Sequence, residues 1–303
     1  MASKNYFSYD RGCCMKRFTT TLLLCITLHA LPGLAGDLND IKARGELRHL
    51  GVPYANFIDG RGGGLDAELM QLFAAHLGLT YRYVETTWTD VIPDLLGVQV
   101  AAENGGVLVG DAVPIKGDIV ANGMTILPWR RQAVAYSTPT FPNQIWLLTT
   151  RAAKLRPIVP SGNLAEDIGK VKKILQGVTV LGKKGTCVDL SLHRIGETGA
   201  VPVEFSGNFN ELAPALLDGA ANAVLLGVPD ALIALEKWPG QVIVVGPVSE
   251  MQSMGVAFRP DAPELLSAFN AFYKTLLHDG SYQKLVEKYY PAVYDHFSDF
   301  FTQ

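Results

Sequence analysis

Thr125 and Arg130 stand five residues apart in the stretch Gly117 to Pro139, GDIVANGMTILPWRRQAVAYSTP. A hydroxyl and a guanidinium beside a loop of free backbone N–H groups suit a carboxylate. The arginine fork matches two carboxylate oxygens, and the loop supplies the remaining donors. Arg131 follows directly, so either guanidinium can serve. Asn122-Gly123 breaks the strand that leads into this loop, and glycine there permits close approach of a ligand.

A second constellation is Gly182-Lys183-Lys184-Gly185-Thr186-Cys187. A helix is expected from Thr186 to about Ile195, and its first N–H groups, at Thr186 and Cys187, suit an anion whatever the side chains. The order G-x-x-x-x-G-K-[ST] is absent, so nucleotide hydrolysis has no support. Cys187 has no histidine near it in sequence, which argues against a nucleophile. A small residue on a buried helix face is the plainer reading. Asp230, after Pro229, opens another expected helix, where an acid also simply stabilises the N-terminus.

These groups need a scaffold, and the hydrophobic pattern supplies one. A short helix is expected over Asp37 to Arg44 and a strand over Leu47 to Val52. Leu65, Leu69, Leu72, Phe73 and Leu77 then fall on one helical face that stops at Gly78. Strands are expected at 80–84, 118–121, 144–149, 178–181, 201–205, 223–226, 241–245 and 255–259. Helices are expected at 91–96, 210–217, 229–236, 263–276 and 281–290. Residues 97–115 read as an irregular loop or small hairpin. Residues 151–170, with Pro157, Pro160, Ser161 and Gly162, read as a linker. Strands alternating with helices in two series predict two α/β lobes.

The chain has 303 residues, 48% hydrophobic and 18% charged, enough for two cores. A net charge of −3 without basic blocks gives no footprint for nucleic acid. The six histidines are scattered and no Cys/His pair has metal-ligand spacing, so neither a metal nor a cofactor is expected. Lys16-Arg17 precede an apolar run from Leu22 to Leu31 and the small-residue zone Pro32 to Gly36. This is the pattern of a cleaved signal peptide over residues 1–36, with Met15 as an alternative start. The run is shorter than the about 20 residues of a membrane span. An uncleaved anchor is the other reading. After cleavage only Cys187 of the four cysteines would remain, so no internal disulfide is possible.

From about Asn39 to Tyr290 the chain resembles the family 3 extracellular solute-binding proteins, the periplasmic receptors of polar amino-acid ABC importers. Gly64-Leu65-Asp66-Ala67-Glu68-Leu69 is similar to the family's G-F-D-x-D-L. Trp88 to Leu95 is similar to W-D-G-L-I-P-A-L. The Gly117 to Pro139 stretch resembles D-x-x-x-x-G-M-T-I-T-P-E-R-x-x-x-V-D-F-S-x-P-Y, and Gly177 to Thr186 resembles G-K-K-V-G-V-Q-x-G-T. Gly255 to Arg259, Pro263 to Leu266 and Asp279 to Tyr282 resemble the family's C-terminal return.

The resemblance implies two lobes joined by two hinge strands, with ligand in the cleft and closure by hinge motion. Lobe 1 would comprise 37–149 and 250–303, and lobe 2 would comprise 150–249. By motif register it selects Arg130 for the ligand carboxylate, with Thr125 offering its hydroxyl or N–H and Gly123 a carbonyl. Thr186 and Cys187 would reach the same carboxylate on closure. Tyr54 would cover the ligand, while Trp88 would either line the cleft or pack in the core. A periplasmic monomer without catalytic residues, delivering a small carboxylate-bearing solute to a membrane permease, is the implied function. An enzyme of the cyclohexadienyl-dehydratase kind and a sensor without a transporter are the alternatives.

One position departs from the family. Its Asp that pairs with the ligand ammonium falls, in this register, on Gly227. An unpaired buried ammonium costs several kcal/mol. Either the ligand lacks an α-amine, and free α-amino acids bind weakly, or another acid such as Asp230 or Glu250 reaches the site.

Overall fold

The computed structural model describes residues 36–103 and 106–302. The expected signal peptide up to residue 35, the alternative start at Met15, and Cys13, Cys14 and Cys25 lie outside the described residues. Among those residues, no helix is long and apolar enough to cross a membrane, and no group of three or more His, Cys, Asp or Glu could hold a metal ion.

Asp37 caps two helices at once. Its carboxylate accepts the Leu38 N–H at 2.7 Å at the start of helix Leu38–Arg44. It also accepts the N–H groups of Glu264 and Leu265, at 3.0 and 2.9 Å, in the first turn of helix Pro263–His278. Both helix starts gain a charged acceptor for orphan donors, and the two helices are tied together.

Two five-stranded sheets centre the two lobes. In the first, Thr80–Glu85, Glu46–Gly51 and Ile119–Val120 run parallel, and Ala257–Phe258 and Ala135–Tyr136 complete it antiparallel. The buried Asp118 locks this sheet, since its carboxylate meets Arg44 at 2.5 Å and Arg48 at 2.7 Å. In the second, Val201–Glu204, Thr179–Gly182 and Ala223–Gly227 are parallel, and Ile145–Thr150 and Val242–Pro247 follow antiparallel. Helices pack on both sheets. Leu65–Leu77 buries Leu65, Leu69 and Phe73 on the first; Leu72, expected on the same face, is 42% exposed.

The chain passes between the sheets twice. Phe141–Asn143 and Gln252–Met254 pair antiparallel as a separate ribbon at those passages. Strand Ile145–Thr150 therefore lies in the second sheet, ahead of residue 149 where the first lobe was expected to end.

One local expectation changes, and at 97–115 the hairpin alternative is the one found. The stretch 151–170 is not all linker, because helix Leu164–Lys173 begins inside it, with Asn163 accepting the Glu166 N–H at 3.1 Å. The stretch 97–115 holds a hairpin of Val98–Glu103 with Gly106–Ala112, whose Leu108 and Val109 face solvent.

Candidate functional site

The strand Ile119–Val120 ends at the site, and the loop after it is held from behind. Asp66, in the first turn of Leu65–Leu77, is 3% exposed and accepts the Gly123 N–H at 2.6 Å. Burial raises its carboxyl to about 7 against the opposing pull of that hydrogen bond. Gly123 has φ +52, and a Cβ there would stand 2.5 Å from the Phe57 ring. Close packing of Phe57, 1% exposed, therefore requires glycine at this turn.

Pro128 opens the short helix Pro128–Ala133 and aims Arg130 inward, while Arg131 faces solvent. Arg130 is 3% exposed. Its Nη1 donates to the Thr125 carbonyl at 3.1 Å and its Nη2 to the Gly185 carbonyl, across the cleft, at 3.4 Å. Its Nε is buried with no hydrogen-bond partner. The guanidinium lies 5.4 Å from the centre of the Trp129 ring. A buried cation resting on two weak neutral acceptors, with one donor spare, suits an anion. The Thr125 hydroxyl accepts from Asn143 Nδ2 at 3.2 Å.

Thr186 and Cys187 reach this point by another route than expected. Residues 183–194 form successive turns rather than a helix, followed by a 3-10 segment at Ile195–Thr198. The Thr186 hydroxyl donates to the Lys183 carbonyl at 2.7 Å and accepts the Val188 N–H at 3.3 Å, closing the turn on itself. Gly182 explains the tight fold, since a Cβ there would sit 2.5 Å from the Val188 carbonyl oxygen. The helix-terminus argument for an anion at Thr186-Cys187 therefore falls, although both residues line the cavity. Burial pushes the Cys187 thiol up to about 11 despite the Thr125 hydrogen bond and the nearby Arg130. It is a neutral thiol at physiological pH.

Tyr54, Trp88, Gly123, Thr125, Arg130, Thr186 and Cys187, joined by Phe209, enclose one cavity of about 10 Å³. That volume is about what one water needs. Tyr54 meets Trp88 edge-on at 5.2 Å and Phe209 edge-on at 5.1 Å, so three aromatic rings fill most of the space. Ala55 beside Tyr54 has φ +49, a costly conformation for a residue with a Cβ. It is held across the cleft by Asn210, which accepts the Ala55 N–H at 3.0 Å and donates to the Pro53 carbonyl at 3.3 Å.

Asp230 lines a neighbouring cavity and joins the group through Tyr54, whose hydroxyl donates to Asp230 Oδ2 at 2.6 Å. Burial raises its carboxyl to about 7, and the Tyr54 hydrogen bond opposes the rise. Its position bears on the question left by Gly227. A Cβ built at Gly227 would stand 3.1 Å from Asn143 Oδ1 and 3.6 Å from Asp230 Oδ2. The space next to Gly227 is thus occupied by the Asp230 carboxylate and by Asn143, which also accepts the Val228 N–H at 3.2 Å. Glu250 is exposed and lines a different cavity, with Trp129 and His193.

Phe209, Asn143 and Asp66 were not singled out from the sequence. Phe209 carried a usable signal, because Asn208 and Glu211 form a capping box that turns the residue between them into the cleft.

Comparison with known proteins bears on the family and the fold. Residues 115–292 match the bacterial extracellular solute-binding proteins, family 3. The L-cystine-binding protein TcyJ of Escherichia coli (strain K12) is 26% identical over 262 residues, covering 85% of this chain and 87% of that one. A mutant of ArgBP from T. maritima superposes with a TM-score of 0.66 at 25% identity, covering 84% of this chain and 98% of that chain. The ancestral amino acid-binding protein AncCDT-1, a precursor of cyclohexadienyl dehydratase, gives 0.62 at 27% identity, covering 83% and 98%. These neighbours share the two-lobed α/β architecture that the two sheets and their connecting ribbon build here. With more than half its length matched, the chain belongs to the bacterial extracellular solute-binding proteins, family 3.

Proposed function

We propose that the protein captures a free α-amino acid in the periplasm and delivers it to an ABC permease, acting as a monomer with Arg130 on the ligand carboxylate and Asp230 on its ammonium. The observation that carries this reading is the Asp230 carboxylate oxygen 3.6 Å from the Cβ position of Gly227. An acid lies beside the place where the family pattern has its own, so the missing side chain is replaced and an amine-free ligand is not required. Thr125 and the turn at Thr186-Cys187 complete the carboxylate end. Tyr54 and Trp88 cover the ligand. The relatives named for cystine and arginine differ in side chain and share the α-amino-acid head, which is the part this pair of charges addresses.

The function is binding without turnover. Asp230, with its carboxyl raised to about 7, is a group suited to a dehydratase's general acid, and assays with prephenate and arogenate are expected to show no conversion. The direct test is thermal unfolding of the protein with each free amino acid in turn. One of them at 100 times its Kd is expected to add about 2.7 kcal/mol of stability. Arg130→Ala should remove that gain. If no α-amino acid stabilises the protein, while an amine-free carboxylate does, the Asp230 assignment is wrong.

A further inference from the structure

Resting on the amino-acid reading above, we propose that Asn210 is the latch of the closed cleft. It holds the lobes together over a bound amino acid by gripping the backbone of Pro53 and Ala55, and it does not touch the amino acid itself.

Hydrogen bonds of two kinds cross the cleft. Arg130, bonded to the Gly185 carbonyl, and Tyr54, bonded to Asp230, line the binding cavity, so a bound amino acid competes for those bonds. Asn210 crosses outside that cavity. Its Oδ1 accepts the Ala55 N–H at 3.0 Å and its Nδ2 donates to the Pro53 carbonyl at 3.3 Å. Neither Asn210 nor Pro53 nor Ala55 lines the space at Arg130. Its two bonds are therefore compatible with any amino acid in the cavity.

Both sides of the latch are braced. On the first lobe the Tyr54 N–H donates to the Ile58 carbonyl at 2.9 Å and the Ile58 N–H to the Tyr54 carbonyl at 3.2 Å. Asn56 ties this turn to its own lobe, its N–H donating to the Tyr290 hydroxyl at 2.9 Å and its Nδ2 to the Tyr289 carbonyl at 2.8 Å. Between them Ala55 is left-handed at φ +49, a conformation that a residue with a Cβ keeps only where its surroundings fix it. On the second lobe Asn210 stands in the 3-10 segment Phe209–Glu211, fixed by the Asn208–Glu211 capping box. Phe209, its neighbour, meets Tyr54 edge-on at 5.1 Å. One short segment thus carries both the ring that closes the cavity and the amide that secures the closure. The carboxamide is required, because one acceptor and one donor pair with an N–H and a carbonyl two residues apart. Aspartate would keep the acceptor alone.

The latch joins opposite lobes, so it stabilises the closed state and contributes nothing to the open encounter. Its loss should speed release and leave association unchanged, by one factor for every amino acid bound. Stopped-flow fluorescence with the standard L-amino acids and L-cystine as probes measures this. Asn210→Ala, an exposed change, is expected to raise the dissociation rate about three- to tenfold, as two partly exposed hydrogen bonds allow. Asn210→Asp should fall between that variant and the unaltered protein. Amide exchange followed by NMR gives a second readout. The Ala55 amide should exchange at least about threefold faster in Asn210→Ala, while those of Tyr54 and Ile58, bonded within one lobe, stay unchanged. An unchanged dissociation rate, or factors that differ among amino acids, would overturn the latch. If no amino acid binds, the amino-acid reading falls, and Ala55 exchange in the protein alone decides the latch: equal rates in both proteins overturn it.

Discussion

At Arg130 the site is built from contiguous sequence: a strand, a glycine turn, a hydroxyl and a guanidinium within thirteen residues, 118–130. The guanidinium is aimed by its own helix and by the carbonyl of Thr125 five positions earlier. At Asp230 the site is built from pieces far apart in the chain. The carboxylate comes from helix Val228–Lys237, its hydrogen bond from Tyr54 of the other lobe, and its neighbour Asn143 from the connecting ribbon. In the proposed reading the first end keeps the family pattern and the second end reaches the same chemistry with a different residue. A local assembly depends on its own spacing, so changing one member disables it. A dispersed assembly needs only a charge at a point in space, and any backbone passing that point can carry it.

The largest effect should come from the local end. Arg130→Ala removes the one guanidinium in the cavity and leaves the ligand carboxylate desolvated without a counter-charge. Loss of such a partner costs about 2–5 kcal/mol, so affinity should fall at least about 30-fold in calorimetry. Arg131→Ala, on the exposed face, should change little. Comparable losses for both would mean that position 130 has no special place.

At the dispersed end, Asp230→Asn keeps the shape and removes the charge. An amino acid should then bind about 10- to 100-fold more weakly, while its des-amino analogue should lose little. The pH dependence carries the same information. Ligand-free Asp230 titrates near 7, and an ammonium beside it lowers that value, so binding releases a proton. Affinity for an amino acid should therefore rise as pH rises from 5 toward about 7 and level off above it. Asp230→Asn should flatten the rise. A profile that keeps its slope in the variant would assign the titration to another group. Asp66 is the alternative, with its carboxyl also near 7. However, Asp66 faces the Gly123 N–H from behind the loop and does not line the cavity.

Restoring the family's acid at its usual position sharpens the contrast. Gly227→Asp places a Cβ 3.1 Å from Asn143 Oδ1 and brings a second carboxylate toward Asp230. Crowding and like-charge repulsion should lower stability by about 1–3 kcal/mol in denaturant unfolding. Combined with Asp230→Ala, the same substitution should recover part of the amino-acid affinity. Failure to recover any of it would show that position 227 does not face the ligand ammonium.

This contrast also explains what was legible in the sequence. Strand and helix order, the two lobes and the Arg130 loop are carried by local periodicity and contiguous motifs. Leu164–Lys173 was hidden because Pro157, Pro160, Ser161 and Gly162 precede it, although Asn163 and Glu166 carry a helix-start signal. Thr186 and Cys187 were found for the wrong reason, since a glycine-to-threonine step promises a helix only if the following chain continues it, and here turns do. Gly227 announced a missing charge. The sequence offered Asp230 and Glu250 as acids that could take its place, and choosing between them needed the structure, which sets Asp230 and Asn143 beside Gly227 and leaves Glu250 exposed on a different cavity.

Tyr54→Phe should have the smallest effect and separates two roles for the hydroxyl. The Tyr54 hydrogen bond holds the Asp230 carboxyl lower than burial alone would. Without it the ligand-free carboxyl titrates higher, and more of it is protonated at neutral pH. If the hydroxyl acts only in this way, an amino acid should bind about two- to fivefold more weakly at pH 7, with the deficit disappearing by about pH 9. Phenylalanine keeps the ring that meets Trp88 and Phe209, so packing is preserved. A deficit that persists at high pH would mean that the hydroxyl touches the ligand directly. A gain in affinity would mean that the Tyr54–Asp230 bond competes with the ligand for the closed cleft.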